Sequence, residues 1–282
     1  MEGFWRLGRF ALIAAAIAWL CIVAALWLFQ RNLIYMAPRN PPGQPPPGYS
    51  AVSLTTEDGL SLLAWYRPAR PGRPTIVFYS VQGANLPFSQ EWTRALAGAG
   101  MGLLLVSFRG FDGNPGSPTE AGLYRDGRAA LAWLAAKGIH QPVLMGLSLG
   151  TGTAAQMALE AAIRPAAFPA ASHPIALVLL APYRSVTDVA AARYPFAPVR
   201  LLLKDRFDTE SIVGRVRMPI LIAHGDADEL IPYSHGQAVF AAASEPKQFL
   251  TLQGAGHNLP ADLILPALGR FLASIDGANT AP

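Results

Sequence analysis

The chain has 282 residues, 52% hydrophobic and only 14% charged, with a formal net charge of +4 and one cysteine. Such a length suits one domain of about 200 to 250 residues plus an appendage, large enough to bury a core without disulfide or metal staples. A single cysteine excludes a disulfide framework, and positive charge scattered over separate arginines, with no basic run, argues against nucleic-acid binding.

From Phe10 to Phe29 the chain reads FALIAAAIAWLCIVAALWLF, with no charged or amide side chain. As a helix this run reaches roughly 30 Å, the thickness of a bilayer's hydrocarbon core. Residues 1–9 then flank a transmembrane anchor over 10–29. A cleaved secretory signal competes, because Arg6 and Arg9 give a positive flank and Ala16-Ile17-Ala18 is a small-x-small site. The apolar run continues well past Ala18, which favours a retained anchor. Cys21 lies within the span, so cysteine usage does not reveal the compartment. Arg6 and Arg9 ahead of the span nearly balance Arg31 and Arg39 behind it, so the charge rule barely discriminates. The expectation is a single-pass membrane protein with its body on the extracytoplasmic side.

APRNPPGQPPPGY, residues 37–49, holds six prolines and two glycines. It cannot build a core and reads as a stiff extended stalk. A folded body is expected over 50–275, followed by a short tail, 276–282. Within it, LSLLAWY, TIVFYSV, MGLLLVSF, PVLMG, IALVLLA, MPILIAH and QFLTLQG are strand-like, with helix-length segments between most of them. Continuous hydrophobicity in the central runs implies strands covered on both faces, hence a mainly parallel sheet between helix layers. Ser117-Pro118-Thr119-Glu120 combines a serine cap, a proline and a glutamate three residues on, and predicts a helix from there to about Lys137.

Gly146-Leu147-Ser148-Leu149-Gly150 is a G-x-S-x-G pattern between a buried strand and the Ala-rich helical stretch TGTAAQMALEAA. In that setting the serine occupies a tight strand-to-helix elbow whose flanking glycines leave no room for side chains. A competing reading is a junction whose small residues only ease packing. A serine hydroxyl needs a base and a group to orient that base. The chain supplies them in the order serine, acid, histidine: ILIAHGDADELIP after one strand and LQGAGHNLP after the last. His257 sits in the second. The acid is Asp226 or Asp228; Asp228 is favoured because it comes after the turn, whereas Asp226 suits closing the turn itself. His224 reads as a structural histidine, and His140, His173 and His235 as loop or surface residues. Nothing has metal-ligand spacing and no cofactor is implied. One oxyanion donor is the amide of Leu149, at the N-terminus of its helix; the other is expected from the loop after TIVFY.

The stretch LLLVSFRGFDGNPGSPTEAGLYRDGRAALAWL, the elbow GLSLGTGTA, APYRSVTDVAAARYPFAPVRLLLKDRFDT, HGDADELIP and GAGHN together resemble the membrane-anchored α/β-hydrolase domain proteins, over about residues 50 to 273. The resemblance implies an α/β-hydrolase fold and a serine hydrolase with Ser148 as nucleophile, Asp228 as acid and His257 as base. Some eukaryotic relatives remove acyl chains from lipidated proteins, although this chain need not share that substrate. One departure matters. The family usually carries a His-Gly-Asn type motif after the third strand, and this chain has Ser80-Val81-Gln82-Gly83-Ala84-Asn85. By position Gln82 supplies the second oxyanion amide. Val81 in place of glycine restricts that loop, and loss of the donor would cost about 2.7–4 kcal/mol of transition-state stabilisation. A shifted loop puts Gly83 in the glycine's place.

Residues 182–217 form a cap-like segment in which Tyr183, Tyr194, Phe196 and Leu202, with Leu201 and Phe207, either line an acyl pocket or simply pack on the sheet. The leading expectation is an ester or thioester hydrolase acting through an acyl-serine, on a small or lipid-like acyl substrate or an acylated protein at the bilayer. A serine peptidase and a catalytically weak scaffold on the same fold are the alternatives.

Overall fold

Buried strands of five or six residues set the architecture. The structure, a computed structural model, describes residues 2–80, 83, 86, 90–163 and 172–279. The described strands form one eight-stranded sheet: β1 (Ser50–Thr55), β2 (Ser61–Arg67), β3 (Thr75–Tyr79), β4 (Gly102–Val106), β5 (Val143–Leu147), β6 (Ala176–Leu180), β7 (Ile220–Gly225) and β8 (Lys247–Leu252). Their order is β1-β2-β4-β3-β5-β6-β7-β8, with β2 antiparallel to both neighbours and the other pairs parallel. Between them run α2 (Gln90–Gly98), α3 (Glu120–Ala136), α4 (Leu149–Ile163), α5 (Val186–Arg193), α6 (Val199–Leu202), α7 (Thr209–Val213) and α8 (Tyr233–Ala242), with α1 (Glu2–Tyr35) ahead and α9 (Ala261–Asn279) behind.

The period of two along each strand explains the unbroken hydrophobic runs, because each face has its own core. Val77, Tyr79, Leu104, Leu177 and Ile222 face the layer that contains Leu123 of α3, Met157 of α4 and Val239 of α8. Ile76, Phe78, Leu105, Val178 and Leu221 face Trp92 and Leu96 of α2 and Leu268 and Phe271 of α9. The chain reverses its direction of travel across the sheet around β3, which lies between β4 and β5. The crevice beyond the carboxyl ends at such a switch point is where this architecture places ligands.

Several expectations are corrected. The helix expected over 10–29 is longer: α1 runs from Glu2 to Tyr35, which is buried in the core edge-on to Phe207. Residues 37–49 have neither helix nor strand, yet they are no free stalk. The Pro38 carbonyl accepts from the Asp112 N–H at 2.7 Å, and the Tyr49 hydroxyl donates to the Thr93 carbonyl at 3.2 Å. Prolines lack donors but keep acceptor carbonyls, so such a segment can be pinned by the body's N–H groups. The cap of α3 is Thr119, not Ser117: its extended backbone and its Oγ1, accepting from the Gly122 N–H at 2.9 Å, fill the role. Glu120 turns instead to the Arg206 N–H and the Tyr124 hydroxyl. α9 extends through Asn279, into the expected tail.

Arg109, after β4, fixes the loop leading to α3. Its guanidinium donates to buried Asp126 at 2.7 and 2.9 Å and to Asp58 at 2.8 and 3.1 Å, and its own N–H also reaches Asp126. Burial pushes the Asp126 carboxyl up, against the pull of Arg109, while hydrogen bonds from Arg109 and Thr56 hold Asp58 well below the usual range. Removing Arg109 strands Asp126. Arg109→Ala is therefore expected to lower stability by about 3–5 kcal/mol, read as a large drop in thermal midpoint for the detergent-solubilised chain.

Candidate active site

Parallel register lines up three strand ends. Tyr79 pairs with Gly146, Leu147 with Leu180 and Gly225 with Leu252, so the turns after β5, β7 and β8 open along one rim. Ser148 follows β5 directly and has φ of 49°. A left-handed residue without glycine's freedom costs of order 1–3 kcal/mol and persists only where its surroundings hold it. They do: the Ser148 N–H donates to the Leu180 carbonyl at 2.9 Å, and the Ser148 carbonyl accepts from the N–H and hydroxyl of Thr151 at 2.9 and 2.5 Å. A Cβ on Gly146 would meet the Gly150 carbonyl at 2.5 Å, and one on Gly150 would collide with the Tyr79 carbonyl. Both glycines are thus required by close backbone approach.

His257, after β8, has its Nε2 2.9 Å from Ser148 Oγ and its Nδ1 2.7 Å from Asp228 Oδ2. The carboxylate fixes the tautomer: Nδ1–H donates to it, leaving Nε2 to accept the serine proton. The other Asp228 oxygen accepts from the Leu230 and Ile231 N–H groups at 2.9 and 2.8 Å. Burial acts to raise the Asp228 pKa, but hydrogen bonds from His224, His257 and the Ile231 N–H outweigh it and hold the carboxyl well below the ordinary range. Asp226 goes elsewhere, accepting from the Gly254 N–H at 2.6 Å to tie the turn after β7 to the one after β8.

His224 carries a role the sequence did not disclose. Fully buried, it places Nε2 2.9 Å from the Ile231 carbonyl and 3.4 Å from Asp228 Oδ2. A carbonyl can only accept, so Nε2 bears the hydrogen and aims it along the back of the acid. A Cβ on Gly236 would collide with the opposite face of that ring, so the glycine makes its slot.

Leu149 opens α4, where a backbone N–H has no partner within the helix and the dipole favours negative charge. Val81 and Gln82 lie outside the described residues. Nearby, the Gly83 N–H donates to the Tyr35 carbonyl at 3.0 Å, and the Leu86 N–H to the buried Asp112 carboxylate at 3.3 and 3.4 Å. Ser107 also bonds Asp112, at 2.6 Å, and burial pushes the Asp112 carboxyl up. Of the proposed pocket residues, Tyr194 and Leu202 line a small apolar cleft of about 70 Å³ against Val23, Trp27 and Ile34 of α1. Tyr183 is packed in the core with its hydroxyl donating to the Leu149 carbonyl at 3.1 Å, and Phe196 faces outward. Among the described residues no group of three or more His, Cys, Asp or Glu is gathered as metal ligands would be.

No protein-family model matches the chain. An uncharacterised protein of Mycobacterium tuberculosis is 34% identical over 267 residues, covering 89% of this chain and 90% of its own length. Human protein ABHD12B is 31% identical over 222 residues, 69% of this chain and 59% of the human protein. Among solved structures, the esterase domain of a Rhodothermus marinus protein superposes with TM-score 0.60 at 21% identity, over 79% of this chain and 97% of that one. A Pyrococcus furiosus esterase does so with TM-score 0.64 at 16% identity, over 84% and 97%. At that identity the structures establish the fold.

A depressed native-state pKa means that Asp228 contributes stability while ionised, above its unfolded value of about 3.9, and loses it as pH falls through the lower folded value. The gap in thermal midpoint between wild type and Asp228→Asn is therefore expected to be widest near pH 6 to 7 and to narrow progressively once the pH drops below about 4. A gap that is constant across the titration would contradict an ionised Asp228.

Proposed function

We propose, from the premise that this chain belongs to the α/β-hydrolase domain-containing proteins, that it is a membrane-anchored serine hydrolase of carboxylic esters or thioesters. The observation that carries the reading is the hydrogen-bonded line Ser148 Oγ, His257 Nε2, His257 Nδ1, Asp228 Oδ2, at 2.9 and 2.7 Å.

In the proposed reaction His257 Nε2 takes the Ser148 proton as Oγ attacks the acyl carbonyl. The negative oxygen of the tetrahedral intermediate is met by the Leu149 N–H at the head of α4, and Asp228 stabilises the imidazolium that forms. His257 then passes its proton to the departing alkoxide or thiolate, leaving an acyl-serine. A water molecule deprotonated by the same imidazole clears it. Ser148 is buried, while the His257 side chain is 19% exposed and gives the rim its access to substrate. α1, whose apolar window is almost wholly exposed, supports anchoring to a bilayer and thereby a lipid-like or acylated substrate.

An active-site fluorophosphonate is expected to label the full-length protein and to lose the label in Ser148→Ala. Absence of label from both would favour a catalytically weak scaffold. On p-nitrophenyl esters, Asp228→Asn is expected to reduce kcat by about four orders of magnitude. Asp226→Asn, which loses only a turn contact, is expected to remain within about tenfold of wild type.

A further inference from the structure

We propose that the tip of the cap segment, residues 194–203, inserts into the same lipid leaflet as the adjoining part of α1. This deepens the anchor reading of α1 and rests on it. The tip does not merely sit above the anchor but runs down its side. Arg31 pairs with Asp205 at 2.8 Å, Gln30 Oε1 accepts from the Lys204 N–H at 2.8 Å, and farther down the Trp19 indole N–H donates to the Phe196 carbonyl at 2.9 Å.

These contacts fix a depth. Trp27, with the Lys204 ammonium 4.0 Å over its ring, has the composition of a membrane–water boundary. Trp19 lies about 12 Å farther along the helix axis, which carries Phe196 past the headgroups, where interfacial elements lie about 5–10 Å deep. Arg193, Lys204 and Arg206 flank the tip and Arg31 faces it from α1, placed to meet lipid phosphates.

The tip's chemistry fits lipid. YPFAPVRLLL contains one charge, Arg200, and that is paired with Asp188 at 2.7 Å. Phe196 is 51% exposed and Leu201 82% exposed. Backbone polar groups in hydrocarbon must be satisfied without water. Here the N–H groups of Tyr194, Ala197, Val199, Leu201, Leu202 and Leu203 bond locally, Pro195 and Pro198 have none, and the Trp19 indole serves the Phe196 carbonyl, so most of the tip's backbone donors are met without water.

The test uses full-length protein carrying Cys21→Ser and one cysteine, F196C, L201C or R73C, labelled with NBD and reconstituted into phosphatidylcholine–phosphatidylglycerol vesicles. Arg73 lies in the turn before β3, at the opposite end of the sheet from Ser148. Flotation comes first: protein that stays at the bottom of the gradient refutes the anchor itself. In floated vesicles, acyl-chain spin-labelled lipids are expected to quench the 196 and 201 probes several-fold more than the 73 probe, with iodide quenching only the last. Iodide quenching at 196 and 201 would overturn the proposal while sparing the anchor. So would shielding from both quenchers, which would mean that a second copy or another protein covers the tip.

Discussion

The site rests on one close approach: α4 meets the end of β3 with so little space that a side chain at Gly150 would strike the Tyr79 carbonyl. That contact forces the chain to leave β5 through a single residue with positive φ, and the residue is Ser148. Once the backbone is bent there, the side chain has nowhere to go but outward, away from a sheet packed on both faces. The same bend starts α4 immediately after Ser148, so the hydroxyl and the unpaired first N–H groups of that helix come from one local constraint.

The acid is built on a second balance. Burial of Asp228 pulls its pKa up, yet hydrogen bonds from His257, His224 and backbone N–H groups pull it down further. A neutral carboxyl could not hold the imidazole in the tautomer that leaves Nε2 free to accept. His224 contributes from behind, on a strand covered on both sides, with its Nε2 bonded to the Ile231 carbonyl and 3.4 Å from Asp228 Oδ2.

Much of this was legible in the residues. Runs such as TIVFY and IALVLLA could be read as doubly covered parallel strands because both faces must be apolar there, and G-x-S-x-G between strand and helix carries its own geometry. The strand SAVSLT went unread, since β1 is an edge with only Leu54 buried and offers no such run. The α3 start misled because Ser117, Pro118 and Glu120 mimic a capping box, while the deciding contact of Thr119 depends on how the loop arrives. His224 was invisible as an acid-supporting group because its role depends on Gly236 opening a slot from a different helix. The aromatic residues of 182–217 were unreadable for a similar reason: spacing could not say that Tyr183 turns inward and Phe196 outward.

The helix α1 is part of the same mechanics, and no sequence period announces it. Asp205 is nearly buried, and it accepts both from Arg31 of α1 and from the N–H of Glu120, the first residue of α3. One carboxylate thereby joins α1, the segment before α7 and α3, and its desolvation is offset only while all three stay together. Four residues on from Arg31, Tyr35 is locked against Phe207 and its carbonyl takes the Gly83 N–H. Gly83 and Leu86 both follow β3, so the last turn of α1 and the Asp112 carboxylate each hold the chain there.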